Sequence, residues 1–277
     1  MSITPNSPAL ADLHPGAPCW VELPVTDLRA ATDFYAGLFG WKFADDQGYT
    51  VALVDGLPVA GLTNQAPLPE QYTPWTLYLH TPHARATAEQ AFALGGGVLR
   101  NPTETADHTQ NTVLIDPTGG VIGFRHVPSD WIFGTSGHGA YAWAELNTRD
   151  GATADAFFQD LCHYEITQIG DGHEYDYTIW SVEGHVVLGR QCMDRTFPAG
   201  TPAHWMIYFT ASPEIGTDSV AHRVIELGGR VTVEPYDTPV GRITVVEDHV
   251  GATFSVIDPS RKIELDVGAP VDDPYDD

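Results

Sequence analysis

The stretch APCWVELPVTDLRAATDFYAGLFGW, residues 17–41, predicts a β-strand, a tight turn and an α-helix in direct succession. Residues 19–25 are mostly apolar, as expected for a buried strand. Thr26 or Asp27 can cap the helix, because a short side-chain oxygen accepts hydrogen bonds from the first free helical N–H groups. Gly40 closes the helix, since glycine adopts the left-handed backbone conformation readily. The apolar side of this helix is formed by Leu28, Ala31, Phe34, Tyr35, Leu38 and Phe39.

The same pattern returns in AYAWAELNTRDGATADAFFQDLCHY, residues 140–164. A constant offset of 123 residues aligns the two stretches across strand, turn and helix. Such a constant offset indicates a duplicated structural unit. The aligned pairs are Trp20 with Trp143, Glu22 with Glu145, Phe34 with Phe157, and Leu38 with Leu161.

The remaining segments repeat the order β-α-β-β-β within each half of the chain. Helices predicted at 84–94 and 218–227 both end at consecutive glycines, and the hairpin turns DPTGG (116–120) and DHVGA (248–252) correspond to each other. The sequence therefore predicts an α+β fold of four β-α-β-β-β units, arranged as two tandem domains. The predicted boundaries are an N-terminal arm at 1–16, a first domain at 17–128, a linker at 129–139, a second domain at 140–267 and an acidic tail at 268–277.

Composition narrows the possible classes of function. A chain of 277 residues with 43% hydrophobic residues can build two cores of ordinary size. A formal net charge of −24 disfavours nucleic acid and anionic membranes as partners, because both would repel the protein. Three widely spaced cysteines without a CxxC pair predict reduced thiols and a cytoplasmic location. No segment has the pattern of a signal peptide or the length of a membrane-spanning helix.

Four motifs together resemble the vicinal oxygen chelate superfamily, which includes glyoxalase I, extradiol dioxygenases and the bleomycin- and fosfomycin-resistance proteins. They are VTDLRAATDFYAGLFGW (25–41), ALGGGV (93–98), IDPTGG (115–120) and ELGGRV (226–231). The tandem form is similar to actinobacterial proteins labelled as hydroxylases or glyoxalase-like antigens. The resemblance implies two glyoxalase-like domains whose sheets curl into half-barrels, with a ligand in the trough of the sheet. It implies a fold and leaves the reaction open.

The resemblance also implies where a divalent metal would be bound, through His and Glu side chains in the trough. One such position lies in the first strand of each half and falls on Trp20 and Trp143. Another lies in the last strand and falls on Gly123 and Ser255. Tryptophan and glycine are not metal ligands, and the glutamate expected on the last strand is missing in both halves.

The two other metal positions fall on residues 60–62 and 75–77 in the first half, and on 188–190 and 204–207 in the second. Only His204 among them is a usual ligand, and a catalytic metal needs about three protein ligands. We therefore predict no cofactor and no metal at the usual positions, while a divalent metal held elsewhere stays open. His204 is a candidate for a functional role; the other histidines fall on loops, helix faces and turns, where exposure is the more frequent explanation.

Side chains alternate along a strand, so Trp20 and Glu22 share one face, and so do Trp143 and Glu145. A carboxylate beside an aromatic ring could hydrogen-bond a ligand or act as a general base. The alternative is that the concave side is ordinary core and each glutamate pairs with an arginine across the sheet. The ligand-binding candidates are Trp20, Glu22, Tyr49, Trp75, Trp143, Glu145, Tyr177 and Trp205, and the catalytic candidates are Glu22, Glu145 and His204. For the aromatic residues, a role in the core is the competing explanation.

Two hypotheses of function follow. The first is a metal-independent protein of the resistance kind that binds a small planar or apolar molecule. The second is an enzyme, either a glyoxalase-type lyase or an oxygenase, which acts on a small molecule. We expect a monomer or a homodimer. The second half departs further from the family pattern, with DHV where the first half has DPT, which favours a packing role for it.

Overall fold

The computed structural model describes residues 13–46, 49–69, 71–104, 110–172 and 175–263. Most of the predicted arm at 1–16 and the whole acidic tail at 268–277 lie outside these residues. The first half contains β1 (Pro18–Val25), α1 (Leu28–Phe39), β2 (Lys42–Asp46), β3 (Tyr49–Val54), β4 (Leu57–Asn64), β5 (Thr76–His80), α2 (Ala84–Ala93), β6 (Gly97–Glu104), β7 (Gln110–Ile115) and β8 (Val121–His126).

The second half repeats this order of elements. It contains β9 (Tyr141–Thr148), α3 (Gly151–Cys162), β10 (Glu165–Ile169), β11 (Tyr177–Val182), β12 (His185–Cys192), β13 (His204–Thr210), α4 (Gly216–Glu226), β14 (Arg230–Thr238), β15 (Gly241–Glu247) and β16 (Thr253–Asp258). The predicted β-α-β-β-β order includes the short edge strands β2 and β10, although no residue pattern placed a strand at 42–46 or 165–169.

Each half forms one eight-stranded mixed sheet. The strand orders are β2-β3-β4-β1-β5-β8-β7-β6 and β10-β11-β12-β9-β13-β16-β15-β14. In both sheets the first strands of the two units lie side by side and antiparallel, and each also pairs in parallel with the last strand of its own unit. The predicted α+β fold of two tandem glyoxalase-like halves is confirmed.

The helix caps follow from local sequence. Asp27 caps α1, because its carboxylate accepts a hydrogen bond from the Ala30 N–H at 3.0 Å. Asp150 caps α3 in the same way, through the Thr153 N–H at 3.1 Å. Gly40 ends α1 in the left-handed conformation with φ 70°, as predicted.

The helices of both halves bury their apolar sides in one continuous core. The Tyr35 hydroxyl of α1 donates a hydrogen bond to Asp248 at 3.1 Å, and the rings of Trp75 and Phe209 lie 5.1 Å apart, so the halves share this core. The opposite face of each sheet carries a smaller apolar cluster of its own. We call that opposite face the trough of each half.

Within the described ranges, no helix is long and apolar enough to cross a membrane. All three cysteines, Cys19, Cys162 and Cys192, are free thiols. The cytoplasmic location stays a prediction.

Candidate functional site

A carboxylate held by tyrosines lies in the trough of the first half. The Trp20 indole N–H donates to the Tyr49 hydroxyl at 2.7 Å, and that hydroxyl donates to Glu22 Oε2 at 2.9 Å. A second tyrosine, Tyr78, donates to Glu22 Oε1 at 3.4 Å. Trp20 and Glu22 therefore lie together on the trough face, as the alternation along the strand predicts.

The trough of the second half repeats this cluster. The Trp143 indole N–H donates to the Tyr177 hydroxyl at 3.1 Å, and the Tyr208 hydroxyl donates to Glu145 Oε1 at 2.8 Å. The Tyr177 hydroxyl also lies close enough to Glu145 to favour its charged form. The duplication thus extends from the strands and helices to a matching network of one Trp, one Glu and two Tyr side chains.

One glycine in each half makes room for this network. A Cβ atom on Gly61 would lie 1.7 Å from the Tyr49 hydroxyl, and one on Gly189 would lie 2.0 Å from the Tyr177 hydroxyl. Any larger residue at these positions would displace the tyrosine from its glutamate. These glycines stand in the strands where the family resemblance expects metal ligands.

The residues at the family's metal positions do not fit a metal. The strand register places side by side Trp20, Tyr78 and Gly123 in the first half, and Trp143, Tyr208 and Ser255 in the second. On the trough face, the residues of β5 and β13 that lie beside these positions are therefore Tyr78 and Tyr208. Within the described part of the chain, no three His, Cys, Asp or Glu side chains are grouped so that they could hold an ion.

Both glutamates are less acidic than an ordinary carboxyl. Desolvation by burial raises the pKa of Glu22, against the opposing effects of Tyr49, Arg125, Arg100 and Tyr78. Desolvation also raises the pKa of Glu145, and there only Tyr208 and Tyr177 oppose it. A carboxyl group with a raised pKa can accept or donate a proton nearer to neutral pH.

The trough of the first half is covered by the linker between the halves. The rings of Trp131 and Phe133 pack on the Trp20 ring at 5.2 and 5.6 Å, and the Trp131 indole N–H donates to the Cys19 carbonyl at 3.0 Å. The Arg125 guanidinium lies 4.4 Å from the Trp131 ring centre. Glu22 is only 6% exposed as a result.

The trough of the second half is more open. Trp143 and Glu145 are half-buried, whereas their counterparts Trp20 and Glu22 are buried; Tyr177 and its counterpart Tyr49 are both half-buried. Tyr175 and Tyr236 are 49% and 44% exposed; partial burial raises their pKa, and the nearby charge of Glu145 raises it further. The apolar residues of this trough are Met206, Tyr208, Ile243 and Ile257, with Ala142, Trp143 and Val245 packed against them. This accessibility speaks against an exclusive packing role for the second half.

Two of the predicted ligand-binding residues lie on the wrong face. Trp75 and Trp205 are buried in the helix-side core, where Trp75 packs on Tyr35 and Trp205 packs on Phe158. They stand an odd number of positions from the trough residues of their own strands, so the pleat turns them away. Neither is retained as a ligand-binding candidate.

His204 lies at the start of β13, paired with Asn147 two positions beyond Glu145. It is buried, its Nδ1 lies 2.9 Å from the Pro202 carbonyl, and its ring packs on Tyr72. Burial lowers its pKa, which favours the neutral imidazole. Its role stays a prediction.

The linker residues Trp131 and Phe133 and Tyr236 at the edge of the second trough are not among the residues that the sequence pattern predicts for the site. The only signal for the linker pair is the presence of two aromatic residues, two positions apart, in a segment otherwise typical of an exposed connection.

Comparison with known proteins supports this organisation. The profile of a family described as "Glyoxalase-like domain" matches residues 20–123. "Putative glyoxylase CFP32" of Mycobacterium tuberculosis is 30% identical over 266 residues, covering 91% of this chain and 98% of that protein. "Anthracycline biosynthesis protein DauV" of Streptomyces sp. (strain C5) is 31% identical over 263 residues, covering 88% and 94%.

Solved structures share the fold at low sequence identity. A Mn(II)-bound glyoxalase from Novosphingobium aromaticivorans superimposes with a TM-score of 0.59 at 14% identity, covering 93% of this chain and 89% of that one. A catechol 2,3-dioxygenase superimposes with a TM-score of 0.57 at 14% identity, covering 91% and 92%.

Proposed function

The chain belongs to the vicinal oxygen chelate superfamily in its two-domain form, and from that premise we propose that it binds a small planar or apolar molecule in the trough of its second half, without the family metal. The observation that carries the proposal is the difference between two otherwise matching networks. The cluster around Glu22 is covered by Trp131 and Phe133, whereas the cluster around Glu145 is reachable from solvent.

The lining of the second trough suits a flat ligand. Trp143, Tyr177 and Tyr208 present rings around one hydrogen-bonded carboxylate, and Tyr175 stacks on Tyr177 with 5° between the ring planes. Aromatic side chains bind planar molecules by stacking, and one fixed polar group orients the ligand. The name of the Streptomyces relative, an anthracycline biosynthesis protein, supports a ligand with fused planar rings.

Metal independence is supported by the side chains that occupy the space where the family would bind its metal. Tyr49 and Tyr177 fill the space in front of Gly61 and Gly189, so a metal and its ligand shell would displace the network. We expect that Mn²⁺, or a chelator, changes neither the midpoint of thermal unfolding nor the affinity for a planar probe.

Binding of acridone, a neutral planar molecule, tests the site by titration calorimetry. The substitution Trp143→Ala should weaken binding about thirtyfold, equivalent to ~2 kcal/mol for loss of a central aromatic contact. The matched control is Phe92→Ala, which removes a ring that is 71% exposed on the helix side. No binding of acridone, or equal effects of the two substitutions, would reject the proposal.

A second candidate is a lyase or oxygenase of the glyoxalase and dioxygenase type. It is favoured by the raised pKa of Glu145, a half-buried carboxyl that can move a proton on a bound substrate, and by the printed name of the mycobacterial relatives. In a glyoxalase assay, Glu145→Gln should abolish turnover while acridone binding persists. Retained turnover in this variant would exclude the role.

A further inference from the structure

The two troughs share their carboxylate but differ in the cations beside it. In the first trough, Arg125 on β8 and Arg100 on β6 lie close enough to lower the pKa of Glu22 by their charge. A buried carboxylate is costly unless a partner compensates its charge. The first trough therefore contains its own counter-charges.

The register of the strands identifies the counterparts of these arginines in the second half. Arg100 pairs with Val113, which pairs with Gly123, and Val233 pairs with Val245, which pairs with Ser255. Gly123 and Ser255 are equivalent, since they pair with the equivalent tyrosines. Val233 therefore replaces Arg100, and Ile257, two positions after Ser255, replaces Arg125, two positions after Gly123.

The consequence is a carboxylate without a positive neighbour. Among the residues the structure describes, the Tyr208 hydroxyl donates to Glu145 at 2.8 Å, the apolar residues Val233 and Ile257 occupy the positions of the two arginines, and no lysine or arginine charge acts on Glu145. Tyrosine hydroxyls compensate the desolvated negative charge only in part, because burial keeps the pKa of Glu145 raised.

Aromatic rings surround this carboxylate. Tyr175, Tyr177, Tyr208 and Tyr236 all stand within range of its charge, and Trp143 is joined to it through Tyr177. The faces of aromatic rings attract cations, most strongly where water is partly excluded. A carboxylate inside such a group of rings is complementary to a positive charge on a flat molecule.

We propose that the second trough takes an aromatic cation, a planar ring system bearing a protonated amine, with Glu145 as its counter-charge. This inference rests on the proposed function and narrows its ligand class. The net charge of −24 also draws cations to the protein at long range.

The first trough contains an internal version of the same arrangement. There the Arg125 guanidinium lies 4.4 Å from the centre of the Trp131 ring, and its positive charge favours the charged form of Glu22. The linker supplies the aromatic ring, and β8 supplies the positive charge. In the second trough, the ligand would supply both the aromatic ring and the positive charge.

A pair of probes of nearly equal shape tests the charge requirement. 9-Aminoacridine is protonated at neutral pH, and acridone is neutral. Titration calorimetry on the full chain should show that 9-aminoacridine binds about tenfold more tightly, or more, as expected for a partly desolvated cation–aromatic contact. The substitution Glu145→Gln should reduce this preference to about onefold, because the variant keeps the shape of the site and removes its charge.

The control is Glu214→Gln, which removes one negative charge from an exposed position on the helix side of the same half. It should leave the preference at the wild-type value. If acridone and 9-aminoacridine bind equally to the wild type, or if Glu214→Gln removes the preference as Glu145→Gln does, the inference is wrong while the proposed function stands. If neither probe binds, both fail.

Discussion

The two network glycines allow the same substitution to be made in both halves. Gly61→Ala would place a Cβ 1.7 Å from the Tyr49 hydroxyl and 2.9 Å from the Trp20 indole nitrogen. The Tyr49 side chain must then move away, and its hydrogen bonds with Trp20 and Glu22 are lost. Trp20 is 1% exposed and Glu22 is 6% exposed, so water cannot replace the missing partner.

The cost follows from the two lost hydrogen bonds. One neutral bond left unmade costs about 1 kcal/mol, and one to a charged or strongly polar carboxyl costs about 1.5–3 kcal/mol. Gly61→Ala should therefore lower the free energy of unfolding by about 2.5–4 kcal/mol. Gly189→Ala displaces Tyr177 in the same way, but Trp143 and Glu145 are half-buried and water can reach them, so we expect about 1–2 kcal/mol.

Urea unfolding followed by circular dichroism measures both changes. Gly200→Ala is the control, because a Cβ there meets nothing within 4 Å, and it should change the free energy by less than about 0.5 kcal/mol. The contrast between a covered and an open trough would be refuted if Gly61→Ala left the free energy of unfolding unchanged, or if Gly189→Ala lowered it more than Gly61→Ala does.

Three further predictions use other parts of the molecule. Trp131→Ala should uncover the first trough, so acrylamide should quench the remaining tryptophan fluorescence more strongly than in the wild type. Because the pKa of Glu145 is raised in the folded state, the folded protein binds this proton more readily than the unfolded chain. The free energy of unfolding should therefore fall as pH rises from the ordinary carboxyl pKa through the raised one. Glu145→Gln should remove this contribution to the pH dependence of stability, and an unchanged pH dependence would contradict the prediction. Arg190→Leu should lower the free energy of unfolding by about 2–4 kcal/mol, because the buried Arg190 guanidinium pairs with two partly buried carboxylates. Arg230→Leu at an exposed pair should lower it by less than about 1 kcal/mol. Equal costs for the two arginine variants in urea unfolding would contradict the difference in burial.

Strands with clear apolar patterns were predictable, whereas two strands were not. KFADD of β2 and EITQI of β10 are short, lie at sheet edges and carry several polar residues, so they lack the periodicity that marks a buried strand. Their presence is dictated by pairing with β3 and β11, which local sequence does not encode.

The face of a trough residue was predictable where the face of another residue on the same strand was known. Alternation from Trp20 placed Glu22 correctly, and the constant offset carried this to Trp143 and Glu145. Trp75 and Trp205 were chosen as aromatic residues without an assigned face; Trp75 lies three positions from the trough residue Tyr78, so it points to the helix-side core.

The sequence by itself determined the duplication, the order of elements and the paired Trp–Glu motif, because these follow from local periodicity and a constant offset. Only the tertiary structure decided how the two troughs differ. The Trp131 indole that covers the first trough bonds a carbonyl 112 residues away in the chain. The cations beside Glu22 come from β6 and β8, and their replacement by Val233 and Ile257 becomes visible only through strand register. Contacts between residues so distant in the chain depend on how the sheets pair and pack, which no local pattern records.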